Sequence, residues 1–181
     1  MLEGQKVNLR LFREDDLEEY YRLYSRVTER GEHFPLTIQS LAAMRKQFAD
    51  TGWWGDNEGR MLITDKDGKL VGGIAYFRGG THHMPYEIGY IVFRPEDRSK
   101  GYMSEALRIF SAHMFESRPI ERLELCMFAG NAASRRVAER CGYQYEGTMR
   151  KAGLLRGEWR NVELFSLLRE ECPSMADALR G

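Results

Sequence analysis

At 181 residues the chain has room for one domain with a substantial core and does not need disulfide or metal staples. Lys plus Arg and Asp plus Glu each total 27, so no net charge draws it to nucleic acid or to an acidic membrane surface. Three cysteines, Cys126, Cys141 and Cys172, are an odd number with no close pair, which reads as reduced thiols in a cytoplasmic protein.

The opening MLEGQKVNLRLF alternates polar and apolar residues, so it predicts a half-buried strand and neither a signal peptide nor a membrane span. Asp15 and Asp16 suit a helix start, with Leu17, Tyr20, Tyr21, Tyr24 and Val27 following at helical spacing. RGEHFPLT is a loop, and a second helix is predicted from about Ser40 to Asp50. TGWWGDNEG is a further loop. Strands RMLITD and LVGGIAYFR flank KDGK, a hairpin turn of the Asp-Gly kind. YEIGYIVF is the next strand, and Met103, Ala106, Leu107, Phe110 and Met114 mark an amphipathic helix after it. RLELCMF is a strand, Asn131 to Arg140 a short helix, and two strands close the chain. The order predicts an α/β (α+β) fold, one domain over 1–181, with a mixed, mostly antiparallel sheet flanked by helices. One parallel β-α-β crossover sits at its centre.

Between strand and amphipathic helix lies Arg98-Ser99-Lys100-Gly101. A helix's first turn leaves N–H groups unpaired and carries the positive end of its dipole. A polar turn with a glycine there can cradle an anion, with Arg98 and Lys100 adding charge. Neither a Walker motif nor G-x-G-x-x-G occurs, and the same residues also suit an ordinary solvated turn.

The wider sequence favours the cradle. EIGYIVFRPEDRSKGYMSEAL followed by NAASRRVAERCGYQYEG resembles the GNAT superfamily of acetyl-CoA-dependent N-acetyltransferases, most of all its RimJ/RimL-like branch. The family's pyrophosphate loop, [QR]-x-x-G-x-[GA], is matched by Arg98 to Met103, with Met103 in place of the final small residue. Asn131, Ser134, Gly142-Tyr143 and Glu146-Gly147 match the branch's second motif, and the N-terminal VNLRLFREDDLEEYYRLY is similar too. The resemblance implies acetyl-CoA as co-substrate and a primary amine as acceptor, such as a protein N-terminus or a small-molecule amine. It implies that Ile91, Val92 and Phe93 offer main-chain groups to the pantetheine arm. It places Ser99, Lys100, Gly101, Tyr102 and Met103 on the pyrophosphate with Arg98, and Asn131 on the pantetheine or adenosine-phosphate side. Loop residues His33, Phe34, Trp53 and Trp54 either wall the acceptor pocket or form a subunit contact, so a homodimer stays open.

Strand alternation sets Glu87, Gly89, Ile91 and Phe93 on one face and Tyr86, Ile88, Tyr90 and Val92 on the other. Glu87 is then the one ionisable group on its face of this strand and the candidate general base; the alternative is pairing with an arginine. Ala138 stands where the family commonly has a general-acid tyrosine, so Ser134 is the candidate acid. That missing tyrosine also supports an alternative reading, a non-catalytic acyl-CoA-binding sensor or interaction module. No metal is expected. Neighbours such as His82 and His83 face opposite ways in a strand. His113 is read as solvated, Cys126 as a core thiol, and Glu105 as a complement to its helix N-terminus.

Overall fold

A computed structural model of the protein describes residues 1–78 and 86–181. The histidine pair His82–His83 lies outside the described residues. The chain enters as β1 (Leu2–Glu3) and β2 (Val7–Leu11), then forms α1 (Asp16–Tyr24) and α2 (Leu41–Thr51). Strands β3 (Glu58–Asp65), β4 (Leu70–Arg78) and β5 (Tyr86–Val92) follow, and α3 (Tyr102–Ser117) leads to β6 (Arg122–Phe128). The chain finishes with α4 (Ala132–Arg140), β7 (Gln144–Leu155), β8 (Glu158–Leu168) and α5 (Met175–Arg180). In space the sheet runs β1-β2-β3-β4-β5-β6-β8-β7, and among the described residues β5–β6 is the one parallel pair. The expected α/β architecture with a mostly antiparallel sheet is therefore what forms.

Local chemistry sets the element ends. Ser40 caps α2 by accepting from the Ala43 N–H at 3.2 Å, and Gly52 ends it at φ 61°. The periodic pattern that carried α1 to Val27 overran. The buried Arg30 guanidinium donates to the Tyr24 carbonyl at 2.7 Å, and the helix ends there. β1 and α5 escaped the periodicity because each is too short to show a period.

The sheet buries both faces. One packs Val7, Leu9, Ile74, Ile88 and Leu123 against Leu107, Ile109 and Phe110 of α3. The other packs Leu62, Leu70 and Phe93 against Phe12, Leu17, Tyr20 and Met44 of the α1/α2 layer. The β5 alternation read from sequence matches this division, with Tyr86 and Ile88 on the α3 side and Phe93 opposite.

Two readings need correcting here. His113 is half-buried, its ring 6.0 Å from that of Trp54, and burial pushes its pKa down. Glu105 does stand in the first turn of its own helix, but it does more than complement that end: it is 5 % exposed and accepts from the N–H groups of Gln5, Lys6 and Val7 at 2.6, 2.8 and 3.0 Å. It ties α3 to the β1–β2 turn.

Candidate active site

Among the described residues the parallel ladder joins β5 to β6 only at Tyr86–Leu123 and Glu87–Glu124. Beyond those pairs the strands part, while β5 stays paired with β4 up to Val92. One edge of β5 therefore runs open from Gly89 onward. The Phe93 N–H donates to the Val71 carbonyl at 3.0 Å. Backbone groups alternate direction along a strand, so Ile91 turns toward β4 with Phe93, and Tyr90 and Val92 turn toward the open edge. This corrects the main-chain assignment. Phe93 also packs its ring on Tyr20 at 5.6 Å and is 2 % exposed, so neither its backbone nor its side chain faces the gap.

Two connected spaces meet at this edge. A cleft of about 500 Å³ lies between the strands and the α1/α2 layer. A groove of about 810 Å³ runs from it to the head of α3. His33, Phe34, Tyr90, Ile91, Asn131 and Ser134 line both.

At the head of α3, Ser99 and Gly101 both take left-handed backbone, φ 62° and 83°. Alternating left-handed residues turn successive N–H groups to one side, which makes an anion-binding concavity in front of the unpaired amides of α3. Arg98, Ser99, Gly101, Tyr102 and Met103 line the groove there, and Val92 lies on its floor. Lys100 does not line it; its Nζ reaches Asp97 at 3.2 Å. Arg98 is partly committed, donating to the Glu29 carbonyl. Asp97 is itself buried; burial pushes its pKa up, but hydrogen bonds from Lys69 and Lys100 outweigh that and hold it below the usual carboxylate range. Sequence reading missed three cations near this seat. Lys6 reaches the Lys100 carbonyl from the β1–β2 turn at 3.4 Å, and Arg136 and Arg140 rim the groove from α4. Only the spacing of Arg136 and Arg140, one helical turn apart, was available as a signal.

Glu87 sits where the strands begin to part and lines the cleft with Gly89 and Cys126. Burial raises its pKa to about 6, opposed by a hydrogen bond from Cys126 and aided by the Glu124 charge. Among the described residues it makes no pair with an arginine; Arg122 is taken by Glu124 and Glu146, each at 2.8 Å. Burial lifts the Cys126 thiol to about 12, so it stays protonated.

Ser134 is held by the Asn131 cap, whose Oδ1 accepts its N–H at 3.1 Å. Its hydroxyl is not spent on local backbone: Oγ lies 2.8 Å from the Tyr90 hydroxyl. Burial raises the Tyr90 pKa above its ordinary value, so the phenol is a neutral donor at pH 7. Ala138 does stand on α4 without a hydroxyl, fully buried. A phenol nevertheless reaches this part of the cleft, from β5 instead of from α4. Sequence reading placed Tyr90 on the right face and gave it no role, because its contact with Ser134 spans 44 positions.

Of the four loop residues, His33 and Phe34 line the cleft. Arg30 fastens that loop, donating to the carbonyls of Pro35 and Thr37 at 2.9 Å each and stacking on Tyr24 at 4.3 Å. Trp53 and Trp54 do not line it. Trp53 is 2 % exposed and packs edge-on to Phe12 and Phe48. Trp54 turns to the opposite face, 5.3 Å from Tyr76. Adjacent residues leave a bend in different directions, and Trp53 itself adopts φ 55°.

An open strand edge thus lies beside an anion-binding turn, with a half-buried carboxylate facing the gap. The family model for an acetyltransferase (GNAT) domain matches residues 6–144, and the chain belongs to that family of N-acetyltransferases, which move acetyl groups to amines. It is 32 % identical over 127 residues to YdaF of Bacillus subtilis (strain 168), named as a ribosomal N-acetyltransferase, covering 70 % of this chain and 66 % of that one. The fold matches a GNAT-family acetyltransferase from Bacillus anthracis at TM-score 0.78 and 23 % identity, over 94 % of this chain and 99 % of the other. It also matches RimL, a ribosomal α-N-protein acetyltransferase in complex with coenzyme A, at TM-score 0.76 and 20 % identity, over 91 % and 95 %. Among the described residues no helix is long and apolar enough to cross a membrane.

Proposed function

We propose that the protein, one domain over residues 1–181, acetylates a primary amine by direct attack on acetyl-CoA. The observation that carries the reading is the parting of β5 and β6 just past Glu87, next to the anion seat. The N–H groups from Ser99 to Met103 hold the pyrophosphate, with Arg98 beside them. Tyr90 and Val92 offer backbone groups to the pantetheine arm, as a neighbouring strand would, and the Ile91 side chain lines the passage. Asn131 faces the same arm. Bound this way, acetyl-CoA supplies an activated carbonyl at the gap.

The acceptor enters past His33 and Phe34. An alkylammonium cannot attack, so Glu87, ionised above about pH 6, takes its proton directly or through a water. The nitrogen adds to the carbonyl carbon, and the oxyanion accepts hydrogen bonds from N–H groups on the open edge of β5. Collapse breaks the C–S bond. The added nitrogen gives up its second proton to solvent, the Tyr90 hydroxyl protonates the departing thiolate, and Tyr90 is reprotonated from solvent through the Ser134 hydroxyl, which passes one proton on and takes up another. The three free cysteines suit the cytoplasm, where thiols stay reduced.

Steady thiol release from acetyl-CoA on addition of a primary amine tests the reading directly. Tyr90→Phe should slow that release about 10- to 100-fold. Full turnover in Tyr90→Phe at every pH would move the acid elsewhere, and no release with any amine would leave a binding module.

A further inference from the structure

The cleft has a floor, two walls and one fixed cation, and together they describe the acceptor. On the α1/α2 face, Arg60, Ala75 and Gly89 form one cross-strand row over β3, β4 and β5. Glu58, Phe77 and Glu87 form the next row. The first row carries a long side chain at one end only: past Arg60 it presents a methyl group, then a bare backbone. A Cβ on Gly89 would meet the Phe77 ring at 3.3 Å, so the trough is as deep there as the Phe77 wall allows. Tyr20, Tyr24 and Phe34 cover it from above.

Arg60 is the only lysine or arginine lining this trough among the described residues. Its guanidinium lies 4.9 Å over the Trp53 ring and faces the Tyr20 hydroxyl. Among the described residues no carboxylate forms an ion pair with it: of the two acids on its own strand, Asp65 lies at the far end and Glu58, which lines the same cleft two residues away, is exposed. An arginine stacked in place in an aromatic trough, without a counter-ion, is a ready receptor for an anion. Glu87, which would face the reacting amine, stands diagonally across from it.

We propose that the acceptor is an amine that also carries an anionic group, carboxylate or phosphate, several bonds away, joined by an apolar spacer. The anion pairs with Arg60 while the amine reaches Glu87. This inference rests on the acetyl-transfer reading and narrows its substrate. Arg60 and Glu87 are two strands apart on a diagonal, roughly 12 Å between backbones, and the length of the two side chains brings the amine and anion to roughly 5–10 Å apart. That exceeds the reach of an α-carboxylate to its own amine. It fits an ω-amino acid or a peptide N-terminus followed by an acidic side chain. A polyamine would set a second cation against Arg60.

The test is thiol release from acetyl-CoA with matched acceptors: ε-aminocaproate, hexylamine and hexamethylenediamine, and the dipeptide amides alanyl-glutamate and alanyl-lysine to separate free from peptide sources. The anionic member of each set should lead its neutral or cationic counterpart by at least about 10-fold in kcat/KM. Arg60→Gln should bring that ratio close to one, and Arg60→Lys should keep most of it. Equal rates across a set, a lead for the diamine, or a ratio that survives in Arg60→Gln would overturn the inference and leave acetyl transfer standing. If no amine of any charge releases thiol while CoA still raises the melting temperature, the acetyl-transfer reading falls and this inference with it.

Discussion

The groove at the head of α3 and the trough beneath α1 meet at Tyr90 and Ser134, yet they are built in opposite ways. The anion-binding end of the groove is made of backbone: amides of one turn, two left-handed residues and an open strand edge, all between Gly89 and Met103, with side chains of α4 and the loop after α1 along its rim. The trough is made of side chains from α1, the following loop, β3, β4, β5 and β6, brought together only by folding. Backbone recognition suits a partner that never changes, such as a pyrophosphate tail. Side-chain recognition can vary with the acceptor while the cofactor side stays as it is.

Breaking the trough at its reacting end should have the largest effect. Glu87→Gln keeps shape and loses the base, so kcat should fall about 10²-fold while CoA still stabilises the protein. In the unmodified protein kcat/KM should rise with pH through about 6, as the burial-raised carboxyl ionises. That acidic limb should vanish in the variant. A variant that keeps both rate and limb would make Glu87 a structural residue.

The same contrast explains what could be read from sequence. The turn from Arg98 to Met103 and the Asn131–Ser134 cap are local, so the family resemblance could be recognised on them and marked the groove, which the turn by itself did not. Strand alternation marked Glu87 because a period of two survives without knowledge of partners. Arg60, Tyr90's hydroxyl contact and the Phe77 wall had no local signature; each depends on which strand lies beside which. Trp53 and Trp54 show the converse. Their loop setting suggested a site, but a single left-handed residue turns one ring into the core and the other to the far face.

On the groove side the corresponding change is Gly101→Val. Gly101 holds φ 83° at the N-terminus of α3, a conformation that costs a β-branched residue about 1–3 kcal/mol. A Cβ there would also sit 3.2 Å from the Lys6 ammonium, whose flexible stem can move aside. Relaxing the turn misdirects the amides that face the pyrophosphate. The KM for acetyl-CoA should rise about 10-fold, with a smaller change in the KM for the amine. Equal changes in both would mean that the two halves are not separable as described.

The smallest expected effect is on stability, and it separates the charge of Glu87 from its chemistry. Burial lifts its pKa from 4.5 to about 6, so the folded chain holds this proton to higher pH than the unfolded chain does. Stability contributed by the group is therefore fully present below the unfolded value, declines as pH rises between the two, and stays lower above. Glutamine carries no charge to bury. Glu87→Gln should match the parent near pH 4 and exceed it at pH 8 by about 1 kcal/mol, after allowing for the solvent that still reaches the carboxylate. For a chain of this size that is a rise of about 2–4 °C in melting temperature. A variant that is slower yet more stable at pH 8 would identify the carboxylate as a charge kept at a cost to the fold, which is how a base poised in a half-closed gap should behave. A variant destabilised at both pH values would instead mean that Glu87 holds β5 against β6, and its loss of rate would then follow from a gap that no longer keeps its shape.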